Sequence, residues 1–182
     1  HCFGCNEGGD VFTFVMKING IEFPDALRML ADKAGVTLRR ADPQLATLRN
    51  KLLDMHIVAG EFYKQELQSE RGAKARSYLK ERGFGDAQVA EMGLGLSPDA
   101  WDKLYSILQQ KGFSAREILA SGLVVKNEQG RSYDRFRNRL MFPLRNLQGQ
   151  IIGFAGRTLA NEDAKYINSP QTIVYDKSKI LF

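Results

Sequence analysis

The stretch Gly130-Arg131-Ser132-Tyr133-Asp134-Arg135-Phe136-Arg137-Asn138-Arg139-Leu140-Met141-Phe142-Pro143-Leu144 decides the fold, with Ile151-Ile152-Gly153-Phe154-Ala155-Gly156-Arg157 behind it. Two apolar runs of strand length flank the turn-rich Asn146 to Gly149, which predicts a β-hairpin. Just upstream, Leu123 to Val125 is rich in β-formers and Asn127 to Gly130 reads as a turn. What precedes these strands reads as helix. Leu45, Leu48, Leu52, Met55, Val58 and Phe62 recur at three and four residues, making one apolar stripe on a long helix. His56 lies beside that stripe with no partner at ligand spacing, and reads as an ordinary helical histidine. A shorter helix runs to Gly83 with Arg82 in its last turn. Ser97-Pro98 predicts an N-cap and first-turn proline for a helix carrying Trp101, Leu104 and Leu108 and stopped by Gly112. Ser114-Ala115-Arg116-Glu117 has capping-box spacing and opens a last short helix to Gly122. Helices followed by a small mixed β unit make the expected class α+β.

Toward the amino terminus the pattern changes again. Cys2, Gly4, Cys5, Gly8 and Gly9 imply short turns, and Phe12 and Phe14 a brief apolar segment, together fitting the end of a small zinc ribbon. Pro24 opens a helix whose apolar positions Phe23, Leu27, Leu30, Ala31 and Ala34 keep the helical period up to Gly35. Arg39 to Pro43 reads as a linker. The expected division is 1–38, a linker 39–44, and 45–182.

Charge is distributed unevenly. The net charge of the 182 residues is +5, yet nine basic residues face only four acids from Arg131 to Phe182, so the whole excess lies there. A one-sided basic block is the electrostatic footprint of a protein that meets a polyanion. No apolar run approaches the ~20 residues of a membrane span, and no basic-then-apolar leader is visible, although the sequence opens on His1. Walker A, Ser/His/Asp and tight carboxylate signatures are also missing from the sequence.

Four motifs carry chemistry. Cys2-Phe3-Gly4-Cys5 has the spacing of a zinc knuckle, two thiolates gripping one edge of a tetrahedral ion; the alternative is a redox pair. With no third cysteine, a reducing, cytosolic setting fits better than a disulfide framework. Arg135-Phe136-Arg137-Asn138-Arg139, read as a strand, puts three guanidiniums on one face, suited to phosphate oxygens, and Phe136 on the other. A solvated basic face is the bland alternative. Gly153 to Arg157 ends the hairpin with small residues that admit a close approach, by a ligand or by another strand. Lys165-Tyr166-Ile167-Asn168-Ser169-Pro170 combines a cation, a stacking ring and an amide in one predicted loop, a set suited to a nucleotide. Gly93-Leu94-Gly95-Leu96 lacks the context of a dinucleotide fingerprint and reads as a turn.

In their order, these runs resemble bacterial replicative DNA primase across essentially the whole chain. The segment His1 to Cys5 with Gly9-Asp10 is similar to the second half of the primase zinc ribbon. Ala75 to Leu79, Arg82-Gly83, Gly95 to Pro98 and Trp101-Asp102 are similar to the helical start of its polymerase domain. The run from Gly130 through Arg157 and on to Pro170 is the most specific part. The resemblance implies that Arg82, Arg135, Arg137, Arg157, Lys165, Tyr166, Asn168 and Lys177 face nucleic acid or incoming nucleotide; Arg82 and Lys177 rest on the resemblance alone. It further implies zinc at Cys2 and Cys5, completed by an upstream Cys-x-x-His. Magnesium or manganese would sit on acids of a toprim fold beyond Phe182, so that this segment binds without polymerising. The implied partners are a single-stranded DNA template, RNA–DNA hybrid, ribonucleoside triphosphates and a replicative helicase that docks on another domain, around a cytoplasmic monomer. A free-standing zinc-ribbon module without polymerase activity, or a phage primase–helicase relative, would share these features.

Overall fold

Asp10 starts the first element of the computed structural model. Its Oδ1 accepts the backbone N–H of Thr13 at 2.8 Å, the bond of an N-cap, and opens helix α1 (Val11–Asn19). That contact holds the Asp10 carboxyl below its usual range. The apolar segment behind the cysteines is therefore a full helix. Gly20 closes it in the left-handed region at φ 59°, and Phe12 meets Phe23 of helix α2 (Phe23–Ala34) at 5.4 Å between ring centroids. Pro24 lies in the first turn of α2 and Gly35 ends it, as the sequence predicts. The structure describes Gly4 and residues 8–36, 43–160 and 164–177. The chain divides into two units, His1–Pro43 and Gln44–Phe182.

The second unit begins on α3 (Pro43–Gln68), 26 residues long. Its predicted stripe lines the core: Leu52, Met55 and Phe62 are buried with Leu48 and Val58 packed against them, Ala59 and Tyr63 are buried beside the stripe, and the side chain of Leu45 lies outside the described residues. A single 3₁₀ turn (Glu70–Gly72) leads into α4 (Ala73–Glu81) and α5 (Asp86–Met92). Then come β1 (Gly95–Ser97), α6 (Lys103–Gln110) and α7 (Ala115–Ala120), the last capped by Ser114 and Glu117 as predicted. The strands β2 (Val124–Lys126) and β3 (Ser132–Asp134) form one hairpin. A four-stranded sheet runs β1-β4-β5-β6, with β4 (Arg139–Arg145), β5 (Ile151–Thr158) and β6 (Tyr166–Asn168). All pairings among the described strands are antiparallel. The β4–β5 hairpin and its Asn146–Gly149 turn stand where the sequence puts them.

Phe154 is the centre of the core. His56 stacks on it at 5.9 Å, Tyr63 meets it edge-on at 5.3 Å and Phe136 at 6.4 Å, so α3, β5 and the β3–β4 connection converge on one ring. Fully burying one such side chain contributes roughly 1.5–3 kcal/mol. The other face of the sheet carries a second cluster, with Leu67, Leu79, Val89, Leu96 and Leu140.

Three local expectations give way to tertiary contacts. Ser97 does not cap a helix; it ends β1, paired with Arg139, as suits the extended backbone a following proline enforces. Helix α6 begins at Lys103, and its free N–H groups are met by a residue 30 positions away: Asp134 Oδ2 accepts from Leu104 and Oδ1 from Tyr105, at 2.8 and 2.9 Å. Gly95 belongs to a strand because only glycine fits there, a Cβ falling 2.5 Å from Tyr63 Cβ and 2.7 Å from its carbonyl carbon. Lys165 to Pro170 is also less of a loop than expected, since Tyr166 to Asn168 pairs with β5.

Candidate nucleic-acid interface

Register builds the site. Arg157 of β5 stands opposite Tyr166 of β6, and Ala155 opposite Asn168, so Arg157, Tyr166 and Asn168 share one face of the sheet. The row through Arg157 continues to Leu140 and Leu96, both buried under α4 and α5. One end of this cross-sheet row is thus core. The other emerges at Tyr166, 56% exposed.

Over this edge lies α4. The Arg157 guanidinium carbon sits 4.9 Å from the centre of the Tyr78 ring and 5.5 Å from that of Tyr166. Arg82, four residues after Tyr78, sits 5.3 Å from the same Tyr78 ring. Lys165 is exposed beside Tyr166, its carbonyl holding the Thr158 N–H at 3.1 Å. Arg135 reaches the edge from the β3–β4 connection, its Nε donating to the Asn168 carbonyl at 3.3 Å; partial burial lowers its pKa. Six of the eight predicted binding residues therefore gather at one edge: Arg82, Arg135, Arg157, Lys165, Tyr166 and Asn168.

The other two lie apart from them. Arg137 stacks over Tyr133 at 4.8 Å and Trp101 at 5.1 Å, those two rings lying 4.7 Å apart, and donates to the Asp134 carbonyl at 2.9 Å. Lys177 is exposed, and no described contact ties it to the β5–β6 edge. The arginines 135, 137 and 139 do not share a face as a strand would place them. Arg135 and Arg137 fall between β3 and β4, Asn138 takes φ 50° and breaks the alternation, and Arg139 opens β4. Arg139, 6% exposed, turns inward and donates Nη1 to the carbonyls of Gly156 and Ala164. Gly156 is glycine for this packing rather than for a ligand, a Cβ there lying 2.8 Å from Phe136.

Sequence reasoning missed Tyr78, Trp101 and Tyr133 as parts of these clusters. The Tyr78/Arg82 spacing of four on a helix was a usable signal; Trp101 was assigned to a helix it does not enter. Cys2 and Cys5 lie outside the described residues. Among the described residues no group of three or more His, Cys, Asp or Glu could hold a metal ion, and no helix is long and apolar enough to cross a membrane.

Comparison with known proteins points one way. Residues 62–182 match the family of the DNA primase catalytic core, N-terminal domain, and residues 1–45 match the CHC2 zinc finger. The chain is 44% identical over 191 aligned residues to a DNA primase of Mycolicibacterium smegmatis, covering all of this chain and 30% of that protein. It superposes with TM-score 0.67 and 42% identity on the RNA polymerase domain of Mycobacterium tuberculosis primase DnaG in complex with a double-stranded DNA oligomer with a 6-nucleotide overhang, over 71% of this chain and 41% of that one. A DnaG primase catalytic domain bound to ssDNA matches at TM-score 0.66 and 39% identity, over 72% of this chain and 43% of that one. The chain spans under a third of the length of this M. smegmatis relative.

Proposed function

The chain belongs to the bacterial DNA primase family, and from that premise we propose that its β5–β6 edge, roofed by α4, holds single-stranded DNA template and the RNA–DNA hybrid grown on it. One observation carries the reading: cations from three separate elements, Arg82, Arg135 and Arg157, converge with the exposed Tyr166 and Lys165 on one sheet edge. Guanidiniums grip phosphate oxygens and the exposed ring offers a base a stacking face, which together track a single strand without reading its sequence. Relatives solved with ssDNA and with an overhanging duplex support the same choice of ligand. The Trp101–Tyr133–Arg137 stack offers a second ring and cation, Trp101 being 51% exposed.

The parent activity we propose is synthesis of short RNA primers from ribonucleoside triphosphates at the replication fork in the bacterial cytoplasm, by a monomer that meets the replicative helicase. In it, the residues described above bind and orient strands. Magnesium or manganese would belong to the parent enzyme; among the described residues no group of three or more His, Cys, Asp or Glu would receive it. Zinc does fit the donor chemistry of Cys2 and Cys5: two thiolates around a phenylalanine and a glycine suit two corners of a tetrahedral site, which would pin the amino-terminal unit.

The test is anisotropy of a labelled single-stranded oligonucleotide across a salt series, with the full-length primase. Each phosphate contact contributes about −0.7 to the slope of log affinity against log salt. Arg157→Ala and Arg135→Ala are expected each to weaken binding and flatten that slope by about one contact's share. Unchanged slopes in both would remove these residues from the interface.

A further inference from the structure

Several cations of the second unit are paired with carboxylates: Lys51 with Glu117, Lys64 with Glu61, and Arg71 and Lys103 with Glu66. Others are held by backbone carbonyls, as Arg135 is at the β5–β6 edge, or by rings, as Arg137 is apart from it. Two arginines of the edge share one ring. Arg82 and Arg157 lie over the single ring of Tyr78, and neither makes an ion pair among the described residues. A carboxylate could place a guanidinium as well, but would cancel its charge toward a polyanion. A ring places it through a quadrupole and leaves the net charge whole.

Tyr78 is suited to that task by its neighbours. Leu79, the next residue, is buried in the core cluster under the sheet, so α4 is fixed where the ring leaves it. Arg157 Nε is buried with no hydrogen-bond partner among the described residues, which leaves the flanking rings of Tyr78 and Tyr166 to orient that guanidinium. The Tyr78 hydroxyl is also buried, without a hydrogen-bond partner among the described residues.

We infer that Tyr78 is a positioning residue of the nucleic-acid edge, whose ring holds Arg82 and Arg157 together so that both engage one nucleic-acid backbone. The role belongs to the ring and not to the hydroxyl. The inference rests on reading the edge as a nucleic-acid site.

The experiment uses full-length primase, a labelled oligo(dT) and a salt series. Tyr78→Phe keeps the ring, and binding should stay within about twofold of wild type with the same slope. Tyr78→Leu should weaken binding roughly 5- to 10-fold and flatten the slope by about 0.7 to 1.4, the share of one or two phosphate contacts. In an Arg82→Ala/Arg157→Ala background, Tyr78→Leu should add less than about twofold, because the groups it positions are gone. If Tyr78→Leu does not fold, Tyr78→Met, closer in volume, carries the same expectations. A wild-type slope in the Leu or Met variant overturns the inference, as does a full effect in the doubly substituted background. Equal losses in Tyr78→Phe and Tyr78→Leu would move the role to the hydroxyl and overturn it too. Should Arg82→Ala and Arg157→Ala leave affinity and slope untouched, it is the nucleic-acid reading of the edge that falls.

Discussion

His56 sets up an acid-sensitivity that one substitution should reverse. It is fully buried on α3, its Nδ1 donating to the Leu52 carbonyl at 2.6 Å, its Nε2 without a partner among the described residues, its ring stacked on Phe154. Burial pulls its pKa from 6.5 to about 4, against the raising effect of the Leu52 bond. A base depressed in the folded state leaves full stability above pH 6.5, and that stability is lost as pH falls from 6.5 toward 4. With these two values the linkage relation gives a loss of about 2 kcal/mol between pH 7 and pH 5. Asp134 acts with the opposite sign. Burial raises its carboxyl from 3.8 to about 6, although the N–H groups of Leu104 and Tyr105 pull it down. An acid raised in the folded state costs stability as pH climbs from 3.8 through 6, so acidifying from pH 7 to pH 5 returns about 1 kcal/mol. The wild-type stability should therefore drift down only by about 0.5 kcal/mol over that interval. His56→Gln deletes one of the two opposed slopes. Urea unfolding at pH 7, 6 and 5 should show the variant gaining about 2 kcal/mol relative to wild type on acidification, and becoming more stable in absolute terms. Parallel stability curves for the two proteins would refute a buried neutral imidazole.

Other expectations follow from the same geometry. Tyr166→Ala should reduce single-strand affinity by about 1–3 kcal/mol, the contribution of one stacked base, while its melting temperature stays near wild type because the ring is largely exposed; calorimetry and anisotropy together check this. Gly95→Ala drives a methyl into the backbone of Tyr63 and should cost roughly 1–3 kcal/mol of unfolding free energy in urea titrations. Asp134→Ala orphans two N–H groups at the start of α6, and a loss of roughly 2 kcal/mol is expected in the same assay at pH 5, shrinking toward pH 7 as removal of the buried charge offsets it. Cys2→Ser with Cys5→Ser should lower the zinc content of the full-length protein by metal analysis and leave the fold of the second unit unchanged by circular dichroism.

What could be read from sequence was what is local. The α3 stripe, the β4–β5 hairpin and the Ser114 box depend on residues within one or two turns of each other, and each stands as read. The start of α6 was illegible because its capping carboxylate, Asp134, arrives from another element. Strand β1 was hidden among helices, since a three-residue strand shows no period and exists through its pairing with β4. In the site, Arg157, Tyr166 and Asn168 were visible as chemistry, but not the register that aligns them. Arg139 shows the reverse failure: a cation read as outward-facing is buried, because a positive φ at Asn138 turns the chain before it.

The row that runs from Leu96 through Leu140 to Arg157 and Tyr166 has a consequence for genetics. Its apolar half and its binding half are neighbours across a single sheet, so a shortened side chain at Leu140 would shift the strand that aims Arg157. A screen for primases that lose their grip on DNA should return substitutions at Leu96 and Leu140 alongside those at the arginines. Such alleles would pass for contact mutants in vivo. They would separate from them only by their sensitivity to temperature.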